Sequence, residues 1–571
     1  MMTISKKRIT LSRRMATVAK LLLFVMALFM LAPAARTQTL PNPAIGSLNK
    51  PERLEWFRDQ GFGIFIHWSV DSQLGVIISH SLVDASPEYD KKFYEELPKT
   101  FYPNKFDADA LARIIKLSGA RYSVLTNKHH SGFAMFATAT NNFNVMDTPF
   151  HRDITKELYT ALRKQGIAPG VYYSPDDFYW LYKHNIPINR YVPNVQFNVN
   201  PGLLKYDQQQ ITELLTHYGP ISMIFFDGDP RGLRELAWKL QPNIVVTRGG
   251  IETPEQNVPG SPLPGPWEAN MTMGTSWQYQ PQDTYKSVPE LLDILIHTRA
   301  RGGNLLLNVG PKPDGELPIE QEERLRQIGL WMFINSECIY NTRPWNITNE
   351  NDVWFTQIPD KDANGKELKT STLYAIVDRP WRRGTFTELV LQSVRITAQS
   401  QVAVLGQNSK VFEYQQRADP TPTLKEQSDG LHVRAMRTQR LTDSGVYANP
   451  AVIRITHVEQ AFIPPTATTL DPQANGGKYL LRGEWQNPGS KATVQVGFEY
   501  RTITGEDTNA RTSRWQPLPL ESVSAPGAFT RETEAFQPGQ DYEVRTVVRH
   551  PLLTIYGNMV RVTVSPAASA K

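Results

Sequence analysis

The sequence predicts an α/β fold, a (β/α)8-like (TIM) barrel, followed by antiparallel β-sandwich domains. Three observations predict it. From about residue 55 to 335, short and nearly continuous apolar runs alternate with helical patterns, as a parallel sheet buried on both faces requires. Side chains able to do chemistry fall just after those runs, at the strand ends where barrels build active sites. After Pro344 the helical periodicity gives way to short alternating runs, the pattern of antiparallel strands. A doubly wound open sheet would also explain the first observation, but no Gly-rich phosphate loop follows the first run.

In chain order, residues 1–35 come first and read as a signal peptide. Six bases (Lys6, Lys7, Arg8, Arg13, Arg14 and Lys20) precede an apolar run from Leu21 to Ala32, and Ala32-Pro33-Ala34-Ala35 supplies small residues for cleavage. The run is shorter than the roughly 20 residues of a membrane span, so the expectation is export to the periplasm or beyond the cell, without a membrane span. The chain carries 61 Lys+Arg and 56 Asp+Glu. With six of those bases and no acid in the leader, the remainder is close to neutral and gives no argument for a nucleic-acid partner. Cys338 is the only cysteine, which excludes an internal disulfide and a Cys-rich metal cluster.

The catalytic barrel is expected over residues 45–345. Its strands are read at Phe62–Ile66, Tyr122–Thr126, Gly170–Tyr173, Ile221–Phe226, Ile244–Val246 and Asn304–Val309. Between them, Asp153 caps a helix with apolar Ile154, Leu158, Ala161 and Leu162 and a stop at Gly166. Another helix carries Leu111, Ile114 and Ile115, and further ones fall near 207–218, 232–240, 288–300 and 318–335. Residues 346–463 are expected to form a β-sandwich and 464–477, opened by Pro464-Pro465, a linker. Residues 478–571 hold strand patterns such as Val494–Tyr500 and Tyr542–Val548, and their last strands, joined through Tyr556-Gly557-Asn558, resemble those of a fibronectin type III domain.

The chemistry gathers at the strand ends. Asp227 follows an apolar run and precedes Gly228, which leaves room for close approach of a ligand. His67 and Arg248 occupy equivalent ends. His129 and His130 are adjacent, so in an extended segment they point to opposite faces and make poor co-ligands for one metal. No His-x-x-x-His or His-Glu-x-x-His pattern exists, so a catalytic zinc is not expected. A two-acid hydrolysis needs a second carboxylate. Glu268 beside Trp267 leads, because desolvation raises a carboxyl pKa and suits a general acid; Glu255 is the alternative, and Glu252 reads as a solvated loop charge. Phe65, Trp68, Tyr172, Phe225, Phe226, Trp267 and Trp277 supply the aromatic rim typical of a sugar pocket.

These residues resemble a known family. Gly63-Ile64-Phe65-Ile66-His67-Trp68, Lys128-His129-His130-x-Gly132-Phe133, Gly170-x-Tyr172-x-Ser174, Phe225-Phe226-Asp227-Gly228, Trp267-Glu268 with Ser276-Trp277, and Gly302-Gly303-Asn304 through Pro311 are similar, in order and spacing, to glycoside hydrolase family 29 α-L-fucosidases. The resemblance spans about residues 53–345. It implies an exo-acting retaining α-L-fucosidase on a barrel followed by a sandwich, needing no cofactor and acting on a fucosylated oligosaccharide or glycoconjugate. It also implies Asp227 as nucleophile, Glu268 as acid/base, and His67, His129, His130, Tyr172 and Arg248 around the sugar, with Phe65, Trp68 and Trp277 beside them. The chain departs from the family pattern at Ser69, Ser131 and Phe225, and over Val76–Lys99, which bears on linkage preference. Two alternatives stay open at this point: a secreted carbohydrate-binding protein without turnover, and a retaining glycosidase for another 6-deoxy or galacto-configured sugar.

Overall fold

The computed structural model describes residues 46–189, 195–407, 419–438, 443–444, 447–475, 478–486, 493–504, 511–512 and 515–564. The leader, residues 1–35, lies outside them. Seven parallel strands form the catalytic sheet: β1 (Phe62–Ile66), β2 (Tyr122–Lys128), β3 (Ala168–Tyr173), β4 (Met223–Phe226), β5 (Val245–Val246), β6 (Glu268–Thr272) and β7 (Asn304–Val309), in the order β5-β4-β3-β2-β1-β7-β6. Six of these match the runs read from the sequence. The seventh, β6, carries Asn270 and Thr272 among its residues and lacks the apolar continuity that marks the others.

The gap between β5 and β6 is filled irregularly. Just after β5, Arg248 bridges Ile251, while Glu252 and Glu255 bridge Trp267 and Asn270, all in parallel sense. The stretch Ile251–Glu255 thus stands where an eighth strand would, and brings its side chains to the mouth of the barrel.

Alternation along each strand separates two cores. Phe65, Val124, Tyr172, Phe225 and Leu306 point inward and pack together. Ile64, Ile66, Leu125, Val171, Ile224 and Leu307 point outward against the helices. At the N-terminal end of the strands, the helix Pro51–Gln60 inserts Phe57 into the inward cluster, against the Tyr122 ring. The barrel is therefore plugged below. A Cβ on Gly63 would lie 2.4 Å from that Tyr122 ring, so only glycine lets the tyrosine lean across the interior.

The helices follow the sequence reading closely. Asp153 accepts from the Lys156 N–H and caps Ile154–Lys164, and Ala108–Leu117, Val288–Ala300 and Ile319–Asn335 also appear. The helix expected from 207 begins at Pro201, because proline suits a first helical position.

Beyond the barrel, strands Val353–Lys361, Glu367–Val377 and Ala451–Gln460 form one antiparallel sheet, and Phe386–Leu391, Thr423–Gln427 and Gly430–Met436 another. One core (Phe355, Leu373, Leu391, Val433, Ile453) fills the space between them, as in a sandwich. Its first strand starts at Arg343, slightly before the expected boundary. The expected linker 464–477 is corrected: Thr466–Asn475 is a strand paired with Lys478–Gln486 in the last domain. A register shift between Leu470 and Gln473 accommodates Pro472, which cannot donate to the ladder.

Candidate active site

Three side chains contact Asp227 at the C-terminal ends of the strands, and a fourth, His129, packs on one of them. Tyr172, on β3, donates its hydroxyl to Oδ2 at 2.6 Å. Arg248, just past β5, donates Nη1–H to Oδ1 at 2.9 Å. His130 Nε2 lies 3.4 Å from Oδ2, and the His129 ring stacks on Tyr172 at 5.3 Å. Burial alone would push the Asp227 carboxyl up, but the His130 contact, the Arg248 charge and the Tyr172 hydroxyl outweigh it and hold the group well below the usual carboxylate range. A carboxylate that stays ionised and points to the mouth of a pocket can act as a nucleophile.

His67 approaches from β1. Asn308 holds its Nδ1 at 2.6 Å and also donates to the Trp277 carbonyl, so one amide fixes the His67 ring and the Trp277 main chain beside it. Burial pushes the His67 pKa down to about 3, which keeps the imidazole neutral. Trp277 lies 4.9 Å from that ring and is partly exposed, as a sugar platform should be. Phe65 sits beneath, touching His67, Tyr172, Phe225 and Trp277.

Glu255 comes to the site and Glu268 does not. Arg248 Nη2 donates to Glu255 Oε2 at 2.7 Å, so one guanidinium joins Glu255 to Asp227. Glu268 opens β6, level with Asn304, the first residue of β7, at the plugged end of the barrel. There it is fully buried and accepts the Tyr122 hydroxyl at 2.6 Å. The desolvation expected for it is real, raising its pKa to about 7, but it operates at the wrong end of the strand for leaving-group protonation.

Three other expectations are corrected. Trp68 is fully buried and packs outward on Phe101 and Phe106 rather than into the pocket, because it follows His67 and takes the opposite face. His129 and His130 do not diverge: the chain leaves β2 at Lys128 and turns, and the two rings sit 4.4 Å apart. Gly228 packs against Pro175 and Asp176, with φ of 151°, and so serves the loop packing.

Potential ligand atoms of His129, His130 and Asp227 lie within 4.8 Å of one another, the one such grouping among the described residues. The Arg248 cation on the same carboxylate works against a metal ion there. Sequence reasoning missed three supports: Asn308 behind His67, Ser174 against His130 Nδ1, and Ser79 against His129 Nδ1 at 2.8 Å. Ser79 lies in the stretch that departs from the family pattern, where no motif could mark it.

Comparison with known proteins gives one answer throughout. The Alpha-L-fucosidase family profile matches residues 28–337. Plasma alpha-L-fucosidase from Rattus norvegicus is 33% identical over 387 residues, covering 60% of this chain and 83% of the rat protein. The Homo sapiens plasma enzyme is 32% identical over 363 residues, covering 57% and 78%. Among solved structures, Alpha-L-fucosidase isoenzyme 1 from Paenibacillus thiaminolyticus superposes with a TM-score of 0.56 at 25% identity, over 71% of this chain and 99% of that one.

Proposed function

Since the chain belongs to glycoside hydrolase family 29 and is an exo-acting retaining α-L-fucosidase, we propose that Asp227 is its nucleophile and Glu255, rather than Glu268, its acid/base. The observation that carries this is the Arg248 bridge, with Asp227 on one terminal nitrogen and Glu255 on the other. A retaining mechanism needs its two carboxylates roughly 5–5.5 Å apart, closer than an inverting one, and a shared guanidinium is a means of holding two carboxylates near one another. Asp227 attacks the anomeric carbon while Glu255 protonates the departing oxygen. Glu255 then takes a proton from the water that hydrolyses the glycosyl ester. Its side chain is 44% exposed, which leaves room for a leaving group and for that water.

His67, His129, His130 and Tyr172 surround the sugar, with Trp277 against its apolar face. The substrate is a terminal L-fucoside of an oligosaccharide or glycoconjugate. The basic leader with its apolar run supports hydrolysis outside the cytoplasm.

Substitution tests both roles. Asp227→Ala should lose at least about 10³-fold in kcat, about 4 kcal/mol of transition-state stabilisation, and azide should restore part of it as the inverted fucosyl azide. Glu255→Ala should abolish release from an oligosaccharide yet give a burst with an activated aryl fucoside, whose leaving group needs little protonation. Equal, modest effects of Glu255→Ala on both substrates would remove it from the acid/base role.

A further inference from the structure

Ser79 adopts φ of 61°, a left-handed conformation uncommon outside glycine. Its N–H donates to Oδ2 of the fully buried Asp71 at 2.6 Å, which anchors it there. Its Oγ accepts the Ser131 N–H at 2.8 Å and lies 2.8 Å from His129 Nδ1. A hydroxyl has one proton and two lone pairs. Among the described residues, His129 Nδ1 is the single acceptor that proton can reach. If Nδ1 carried its own proton, Oγ would accept twice and its hydrogen would be stranded without a partner in a buried site, which is unfavourable. Burial, with His130 and His67 close by, pushes the His129 pKa well below its ordinary value, so the ring is neutral and carries one proton. Ser174 differs: it has the carbonyls of Asp176 and Asp227 within reach, so the same reasoning does not fix His130.

We propose that Ser79 is a positioning residue for the fucosidase reaction: its hydroxyl donates to His129 Nδ1, which places the ring proton on Nε2 and makes that nitrogen a hydrogen-bond donor to the bound sugar. This rests on the reading of His129 as a sugar contact. Asp71 acts one step further back, by fixing the backbone that carries the hydroxyl.

Two measurements test it. Neutron diffraction from deuterium-exchanged crystals of the free enzyme should show deuterium on His129 Nε2 and none on Nδ1; deuterium on Nδ1 overturns the proposal. For kinetics, Ser79→Gly suits the positive φ and removes only the hydroxymethyl group. It should raise KM for an aryl fucoside about 10-fold, the value of one hydrogen bond near 1.4 kcal/mol, and leave kcat within about threefold. His129→Phe separates the two readings. If it raises KM while Ser79→Gly changes KM less than twofold, the role of Ser79 is refuted. If neither variant moves KM, the sugar contact of His129 fails and the proposal with it.

Discussion

Asp227, half-buried at the mouth, and Glu268, fully buried, are both barrel carboxylates, yet their surroundings drive them in opposite directions. Asp227 has a cation and a hydroxyl donor on its oxygens and stays ionised. Glu268 has one hydroxyl and little else, and its pKa rises to about 7 against an ordinary 4.5. An acid whose folded pKa is raised keeps its proton longer in the native state. The stability this group contributes is therefore greatest below about pH 4.5, falls as pH rises towards 7, and stays reduced above it. Glu268→Gln keeps an acceptor for Tyr122 and removes the ionisation, so it should raise Tm at pH 8 more than at pH 5, by at most a few kcal/mol of stability. Turnover of an oligosaccharide should remain within about threefold; loss of two orders of magnitude would return Glu268 to the chemistry. The same contrast explains what was legible. Asp227, His67 and Arg248 follow apolar runs, and a strand end is visible in sequence. The Trp267-Glu268 pair announces desolvation but not which end of a strand it occupies, because β6 does not read as a strand.

At the scale of elements, the irregular stretch Ile251–Glu255 has no sequence signature either, being neither periodic nor apolar. Its position depends on Gly250, where a Cβ would lie 2.5 Å from the Val246 carbonyl oxygen and 2.9 Å from Asn49 Nδ2. Backbone at that distance cannot yield, so Gly250→Ala must displace the segment that follows. A misplacement of about 1 Å costs roughly 10²-fold in a positioned reaction. Gly250→Ala should therefore slow oligosaccharide hydrolysis about that much and activated aryl fucoside hydrolysis far less, the signature of a misaligned acid. Equal losses on both substrates would mean that the nucleophile had moved instead. The regular helices and strands around this stretch were readable because burial on one or two faces leaves a period in the sequence; a segment bridging two strands leaves none.

The whole molecule divides unequally. Trp354, Tyr374, Ile376, Leu405 and Val452 of the sandwich belong to the same buried cluster as the outer barrel, and Trp331 Nε1 donates to the Pro450 carbonyl across the junction. The last domain has a core of its own and meets the sandwich through Leu552, Leu553 and the His550–Phe462 contact. Calorimetry should show barrel and sandwich melting together and the last domain separately. Truncation after Ile463 should keep kcat/KM for an aryl fucoside within about twofold, whereas loss of activity would place that domain in the catalytic unit. The change of pattern after Pro344 falls beside Arg343, where the first strand of the sandwich starts; Pro464-Pro465 reads as a linker because a bulged strand containing Pro472 interrupts its own alternation. The plug formed by Phe57 has a kinetic consequence. A well sealed at its base admits and discharges by one opening, so a polymer cannot thread through it and be trimmed while it remains bound. Every cleavage must end in departure of both products before the next begins. On a chain bearing many fucosyl branches, early digestion should yield a broad population of partly trimmed molecules, with no fully stripped chains beside untouched ones.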